Sequence, residues 1–221
     1  MGSSWVFVET TLPCVPLPPN SERNPIRTER LEIRPMREDD LSAYHGLRSQ
    51  PEAMTGTMRG RPDRDIDESR SVLSEFLPPK DKKAFLFGVF LASTGELIGE
   101  GGVHTLESSA CGWPEIGYKF RKEFWGRGYA TEFLGALLGA WWRLPRSNIR
   151  LRVASSSIPD GIRTTEQISA VTDVQNIGSQ KVLEKLGFVR FMEWTEPDTQ
   201  EYRLGQPVTL VGYRLIAENY T

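Results

Sequence analysis

Cysteine and histidine are scarce in this chain, and each scarcity removes a class of protein. Two cysteines, Cys14 and Cys111, among 221 residues leave no disulfide framework and no paired-cysteine zinc site. Two histidines, His45 and His104, cannot build a histidine-rich metal centre, so no metal is expected. Long apolar runs are missing as well. The longest, Phe133 to Trp142, contains glycine and is too short to cross a bilayer. The N-terminus has no basic stretch followed by an apolar one, so it does not read as a secretory signal. Met1-Gly2 opens the chain, yet Val6 stands where a myristoylation signal needs Ser or Thr. Charge excess is lacking too: 27 Lys and Arg against 29 Asp and Glu give a net charge of −2, unlike a protein that coats nucleic acid. Together these absences lead to an expectation of a cytoplasmic protein with no membrane and no nucleic-acid partner. No internal repeat or low-complexity tract is visible.

What is present suits one domain with an appendage. Hydrophobic residues make up 38% and charged residues 25%, enough for a packed core. Residues 1–27 differ from the rest. Trp5-Val6-Phe7-Val8 is strand-like, but Pro13, Pro16, Pro18 and Pro19 follow closely. Proline removes backbone donors and fixes φ, so this stretch cannot be an interior strand or helix. It reads as an extended arm laid over a domain that runs from residue 28 to 221. Leu31-Glu32-Ile33-Arg34 alternates as a half-buried strand does. Asp39 and Asp40 suit a helix start, with Leu41, Tyr44 and Leu47 on one face. Asp65-x-x-Glu68 resembles a capping box, opening a helix that buries Ile66, Val72, Leu73, Phe76 and Leu77.

Two hairpin strands follow, Ala84 to Ala92 and Leu97 to His104, joined at Ser93-Thr94-Gly95. A further strand, Glu115 to Phe120, leads through Trp125-Gly126-Arg127-Gly128 into a helix with Ala130, Leu134, Leu137, Leu138 and Trp141 at helical spacing. Ile149 to Ala154 is a strand, Ser155 to Glu166 a polar insertion, and Ile168 to Val171 a resumption of that strand. Asn176 to Leu186 is a helix stopped by Gly187. Two final strands, Phe188 to Trp194 and Thr209 to Leu215, complete an α/β (α+β) order: a mixed, mostly antiparallel sheet of about seven strands with helices on both faces. Trp141-Trp142 reads as packing, and the charge cluster Arg59 to Arg70 as a solvated loop and helix face.

The chemistry sits where strand, glycine loop and helix meet. A helix start exposes unpaired N–H groups and a positive dipole end, a ready site for phosphate oxygens. Gly126, Gly128 and Ala130 alternate there, with cationic Arg127 between the glycines, an arrangement suited to a pyrophosphate. It is neither a P-loop nor a dinucleotide fingerprint.

Read together, the segments resemble a known family. Thr28-Glu29-Arg30-Leu31-Glu32-Ile33-Arg34-Pro35 is similar to the opening strand of the GNAT acetyltransferase superfamily, in its RimJ/RimL-like branch. Gly95-Glu96-Leu97-Ile98-Gly99 resembles its second hairpin strand. Glu115-Ile116-Gly117-Tyr118 with Phe124-Trp125-Gly126-Arg127-Gly128-Tyr129-Ala130-Thr131-Glu132 resembles its acetyl-CoA motif, and Asn176 to Phe188 its last helix. The Pro-rich arm resembles that of fungal members. Two departures stand out. Trp125 occupies the place, three residues before Gly128, where the superfamily usually has Gln or Arg. Leu183 occupies the place of a tyrosine that protonates the departing thiolate in many members.

The resemblance implies transfer of an acetyl group from acetyl-CoA to a primary amine, carried by a small amine, an amino acid, an antibiotic-like molecule or a protein N-terminus. The alternative is a non-catalytic acyl-CoA sensor on the same fold. It implies a cofactor site from Trp125, Gly126, Arg127, Gly128, Tyr129, Ala130 and Thr131, with Asn176 and Ser179 on the pantetheine arm. The main chain of Tyr118, Lys119 and Phe120 would pair with pantetheine amides, and a backbone N–H of that strand would hold the oxyanion. Glu115 is the first choice of base, against a strand-edge carboxylate in a salt bridge. His104 is the second and Glu193 the third. Ser179 is the expected acid, against a helix-surface serine. Asn176 also suits an N-cap. A monomer or homodimer is expected.

Overall fold

The computed structural model describes residues 4–158 and 164–217. Among these residues ten strands and five α-helices follow in order. The first half holds β1 (Trp5–Pro13), β2 (Ile26–Arg27), β3 (Leu31–Arg34), α1 (Leu41–Arg48), α2 (Pro51–Met54), α3 (Ile66–Leu73), β4 (Phe85–Leu91) and β5 (Leu97–Thr105). The second half holds β6 (Glu115–Phe120), α4 (Tyr129–Trp142), β7 (Arg146–Ala154), β8 (Gln167–Asp173), α5 (Ile177–Lys185), β9 (Val189–Pro197) and β10 (Pro207–Ile216). Among the described residues no helix is long and apolar enough to cross a membrane.

Eight strands form one sheet in the order β2-β3-β4-β5-β6-β8-β10-β9. Neighbours are antiparallel except β6 and β8. Alternation along the strands feeds two cores. Phe85, Phe87 and Val89 of β4 face α4 and α5, joining Phe133, Leu137, Trp141 and Leu183. Phe90 and Leu97 face the opposite side, joining Leu41, Tyr44 and Leu47 of α1 and Leu73 of α3. Helices therefore cover both faces. Asp65 caps α3 by accepting from Glu68 N at 2.8 Å.

The mixed, mostly antiparallel sheet is as expected, with the two-residue β2 against β3 bringing its strands to eight. Two expectations need correction. Ile66 does not enter the core: it is exposed at the first position of α3, while Leu73 and Phe76 are buried. Residues 149–154 and 168–171 are not one interrupted strand. β8 lies in the main sheet, whereas β7 leaves it and pairs only with β1, from Trp5↔Ala154 to Pro13↔Arg146. The inward residues of this ribbon explain why. Val8, Leu12, Leu151 and Val153 bury against Trp113 and Cys111 in a third apolar cluster of their own.

The prolines end β1 and turn the chain across the domain. Leu17 then enters the main core. Arg23 is buried, and its guanidinium donates to the carbonyls of Pro18 at 2.8 Å and Ala84 at 2.8 Å.

Candidate active site

The sheet opens at its centre. β6 pairs with β5 along its length, but with β8 only through Glu115↔Ser169. Ser169 pins that point, donating N–H at 2.7 Å and Oγ at 3.0 Å to Pro114 O. Beyond it the strands diverge, and one edge of β6 has no strand partner. Arg121 N donates to Ile98 O at 2.9 Å, just past the end of β6. Antiparallel alternation then turns the main chain of Gly117 and Lys119 toward β5, and that of Ile116, Tyr118 and Phe120 into the cleft. Phe120 O is already taken by Trp125 Nε1 at 2.8 Å. Lys119 thus stands apart from the expected cofactor set: its backbone faces β5 and its ammonium pairs with Glu100 on the α1 side.

The wide end of the cleft meets the glycine turn. Gly126 and Gly128 have φ of 71° and 82°, left-handed values that favour glycine, and Gly128 is the N-cap of α4. Glu132 N is the first helical donor to find an acceptor, Gly128 O at 3.0 Å. The amides of Tyr129, Ala130 and Thr131 precede it and have no intrahelical partner. Arg127 and Trp125 are exposed beside them.

A clamp behind this turn escaped the sequence reading. Glu132 accepts from Thr28 Oγ1 at 2.5 Å, Arg30 N at 3.0 Å and Arg30 Nε at 2.7 Å. Arg30 also donates to Arg127 O at 2.9 Å and lies 4.4 Å over the Tyr129 ring. Burial pushes the Glu132 carboxyl up, yet these donors outweigh it and hold it below the usual range. The signal was present, since Thr28, Arg30 and Glu132 all lie in the motif segments, but nothing local joins them.

Across the cleft, Asn176 Oδ1 accepts from Ser179 N at 3.1 Å, so Asn176 is the N-cap of α5. Tyr118 reaches over from β6, its OH 3.4 Å from Ser179 O. Burial pushes its phenol up to about 12.

The narrow end gathers two of the three candidate bases. His104 Nε2 lies 3.4 Å from Glu115 Oε1, and Ser108 Oγ donates to the other carboxylate oxygen. The His104 side chain is 44% exposed and that of Glu115 only 17%. A side chain at position 117 would press on the imidazole, its Cβ 3.2 Å from Nδ1. Glu193 stands apart. It pairs with Arg190 on β9, three strand positions from β6, or roughly 14 Å at the usual spacing of about 4.8 Å. The loop carrying Ser108 is held from behind by the β1–β7 ribbon. Ala154 N donates to Cys111 O at 3.0 Å, and buried Trp113 donates Nε1 to Ser157 Oγ at 3.0 Å. Burial also pushes the Cys111 thiol up, so it stays protonated.

Residues 50–61 bridge the wide end. On the β6 bank, Gln50 Nε2 donates to Glu123 at 3.0 Å and Lys122 pairs with Glu52 at 2.5 Å. On the β8 bank, Gln200 donates both amide hydrogens, to Thr55 O at 2.9 Å and Thr57 O at 2.6 Å. Arg61 grips Glu68 through two bonds of 2.9 and 2.8 Å and Glu201 at 2.7 Å. Asp63 is buried against Arg48. The Arg59 to Arg70 cluster is therefore not simply a solvated face. Its charges are satisfied by Glu201 in the loop after β9 and by Arg48 in α1, partners distant in sequence.

Comparison with known proteins identifies the family and the fold. Residues 30–189 match the family model described as Acetyltransferase (GNAT) domain. The chain is 30% identical over 112 residues to the uncharacterized N-acetyltransferase p20 of Bacillus licheniformis, covering 50% of this chain and 62% of that protein. A GNAT-family acetyltransferase from Bacillus anthracis superposes with a TM-score of 0.66 at 21% identity, over 89% of this chain and 100% of its own. RimL, a ribosomal L7/L12 α-N-protein acetyltransferase solved with coenzyme A, superposes with a TM-score of 0.65 at 17% identity, over 87% and 98%.

Proposed function

Because the chain belongs to the GNAT acetyltransferase family, we propose that its open cleft binds acetyl-CoA and passes the acetyl group directly to a primary amine. The observation that carries this reading is the unpaired edge of β6 running into the bare amides of the α4 start. The residues fit the cosubstrate. The amides of Tyr129, Ala130 and Thr131 and the Arg127 guanidinium would hold the diphosphate. The Tyr118 main chain, turned into the cleft, would pair with a pantetheine amide as an added strand does.

Chemistry then falls at the narrow end. The amine nitrogen attacks the thioester carbonyl, and a cleft-facing N–H of β6 steadies the oxyanion. The amine's proton passes to the His104–Glu115 pair. Glu115 is the more enclosed partner, with Ser108 on one oxygen and His104 near the other. His104 is the more exposed. The pair therefore works with His104 as the proton acceptor and Glu115 as the group that orients it, the reverse of the order expected from sequence. Collapse of the intermediate expels the CoA thiolate.

Calorimetry with acetyl-CoA, followed by mass spectrometry over a panel of small amines and short peptides, tests the reading. Binding with acetylated product supports it. Binding without turnover of any acceptor favours a sensor, and no binding overturns both.

A further inference from the structure

The chain lacks a tyrosine at position 183, where many relatives carry their thiolate acid, and Leu183 is closed into the core at 1% exposure. A different phenol reaches the same turn. Tyr118 projects from β6, and its OH lies 3.4 Å from Ser179 O. In α5 the carbonyl of Ser179 faces the N–H of residue 183, four positions on. The phenol thus arrives from β6 at the helical turn that carries Leu183.

We propose that the Tyr118 hydroxyl protonates the departing CoA thiolate. The inference rests on the acetyl transfer proposed above. When the tetrahedral intermediate collapses, the C–S bond breaks and its electron pair goes to sulfur. Sulfur takes the proton of Tyr118 O–H, giving CoA thiol and a phenolate. Water returns a proton to the phenolate, while the proton taken from the amine leaves the His104–Glu115 pair to water. Charge and atoms balance over the cycle.

Three observations support this role. The main chain of the same residue faces the cleft, so an arm paired along β6 passes beside the ring. The bond to Ser179 O is long for an O–H···O contact, where about 2.5–3.0 Å is usual, so the hydroxyl hydrogen is free to turn to a better acceptor. Burial keeps the phenol protonated through the neutral range. Ser179, the acid expected from sequence, offers an aliphatic hydroxyl, which is a weaker acid than a phenol.

The test compares wild type with Tyr118→Phe and Ser179→Ala. The first readout needs no acceptor: the thiol pKa of CoA bound to the protein, followed by thiolate absorbance. A phenol donating to the thiolate lowers that pKa, so it should rise by about one unit in Tyr118→Phe with CoA affinity unchanged. Equal values in the two proteins overturn the proposal whatever the acceptor proves to be. The second readout is turnover. Tyr118→Phe should lose roughly 10²-fold in kcat with little change in KM for acetyl-CoA, and Ser179→Ala much less. If Ser179→Ala shows the larger loss, the proposal fails. Should Tyr118→Phe misfold, fluorotyrosine at position 118 keeps the ring in place. The alkaline limb of kcat should then move to lower pH, and a limb that stays put overturns the role. Failure of the acetyltransferase reading looks different: no acceptor is turned over by wild type, while the shift in bound-thiol pKa still reports on the phenol.

Discussion

The two ends of the cleft are built on opposite rules. The wide end, at residues 126–131, keeps its helix-start donors unspent. The amides of Tyr129, Ala130 and Thr131 have no helical acceptor, and the Arg127 side chain stands in solvent. The narrow end commits its carboxylate in advance. Both oxygens of Glu115 are engaged, Ser108 is buried, and Trp113 and the β1–β7 ribbon close the space behind. The contrast suits what the proposed reaction asks of each end. A diphosphate brings its own charge and needs only donors, which water can occupy until it arrives. A proton acceptor must hold one orientation before any ligand comes, so its neighbours must already be in place.

Gly128→Glu tests the wide end most severely. A side chain at φ 82° is strained, and its carboxylate would meet the diphosphate. Acetyl-CoA affinity should fall at least ~10³-fold by calorimetry. Affinity equal to wild type would break the comparison at its open end. Glu115→Gln tests the narrow end. Turnover should drop about 10²-fold while acetyl-CoA affinity holds, and adding His104→Gln should cost little more, because the two act as one unit. Additive losses would mean that the pair is not a unit.

The bridge should respond more gently. Gln200→Ala strips the donors from Thr55 O and Thr57 O and should open residues 55–61 by about 1–2 kcal/mol, read as faster amide exchange there. Exchange unchanged at those residues would show that the latch lies elsewhere. The smallest effect concerns acid. Hydrogen bonds from Arg61 and from the Arg64 backbone hold the Glu68 carboxyl down at about 2, from an ordinary 4.5. Its folded value is depressed, so its contribution is complete above 4.5 and fades as pH falls toward 2. Amide exchange at residues 55–61, corrected for pH, should loosen only in that window, and loosening near neutrality would contradict the sign.

Features written in neighbouring residues were legible in the sequence. The alternation of β3, the caps of α3 and α5 and the glycine turn each depend on a few adjacent positions, and the structure contains them all. Features made by distant residues were not. β7 has the alternation of an ordinary sheet strand, and only its partner β1 reveals that it leaves the sheet. Arg30 and Glu132 have no periodic relation that marks them as a clamp. Gln200 looks like any loop glutamine until Thr55 and Thr57 are brought beneath it. The site was half legible for the same reason. Glu115 and His104 could be named separately, but their pairing depends on the register of β5 against β6, where an irregularity falls between Val103 and Thr105. Glu193 ranks third from the sequence, and strand order sets it apart from the other two.

The pairing of β1 with β7 also imposes a timetable on the newborn chain. Trp5–Pro13 leaves the ribosome well before Arg146–Ala154, its strand partner among the described residues. At 5–20 residues per second, the wait is on the order of ten seconds. Throughout that interval Val8 and Leu12 lack the cover of β7, and the loop behind the His104–Glu115 pair has no backing. This ribbon is thus among the later parts of the fold to close, and the vulnerable period of its biogenesis lasts until residue 154 has been made.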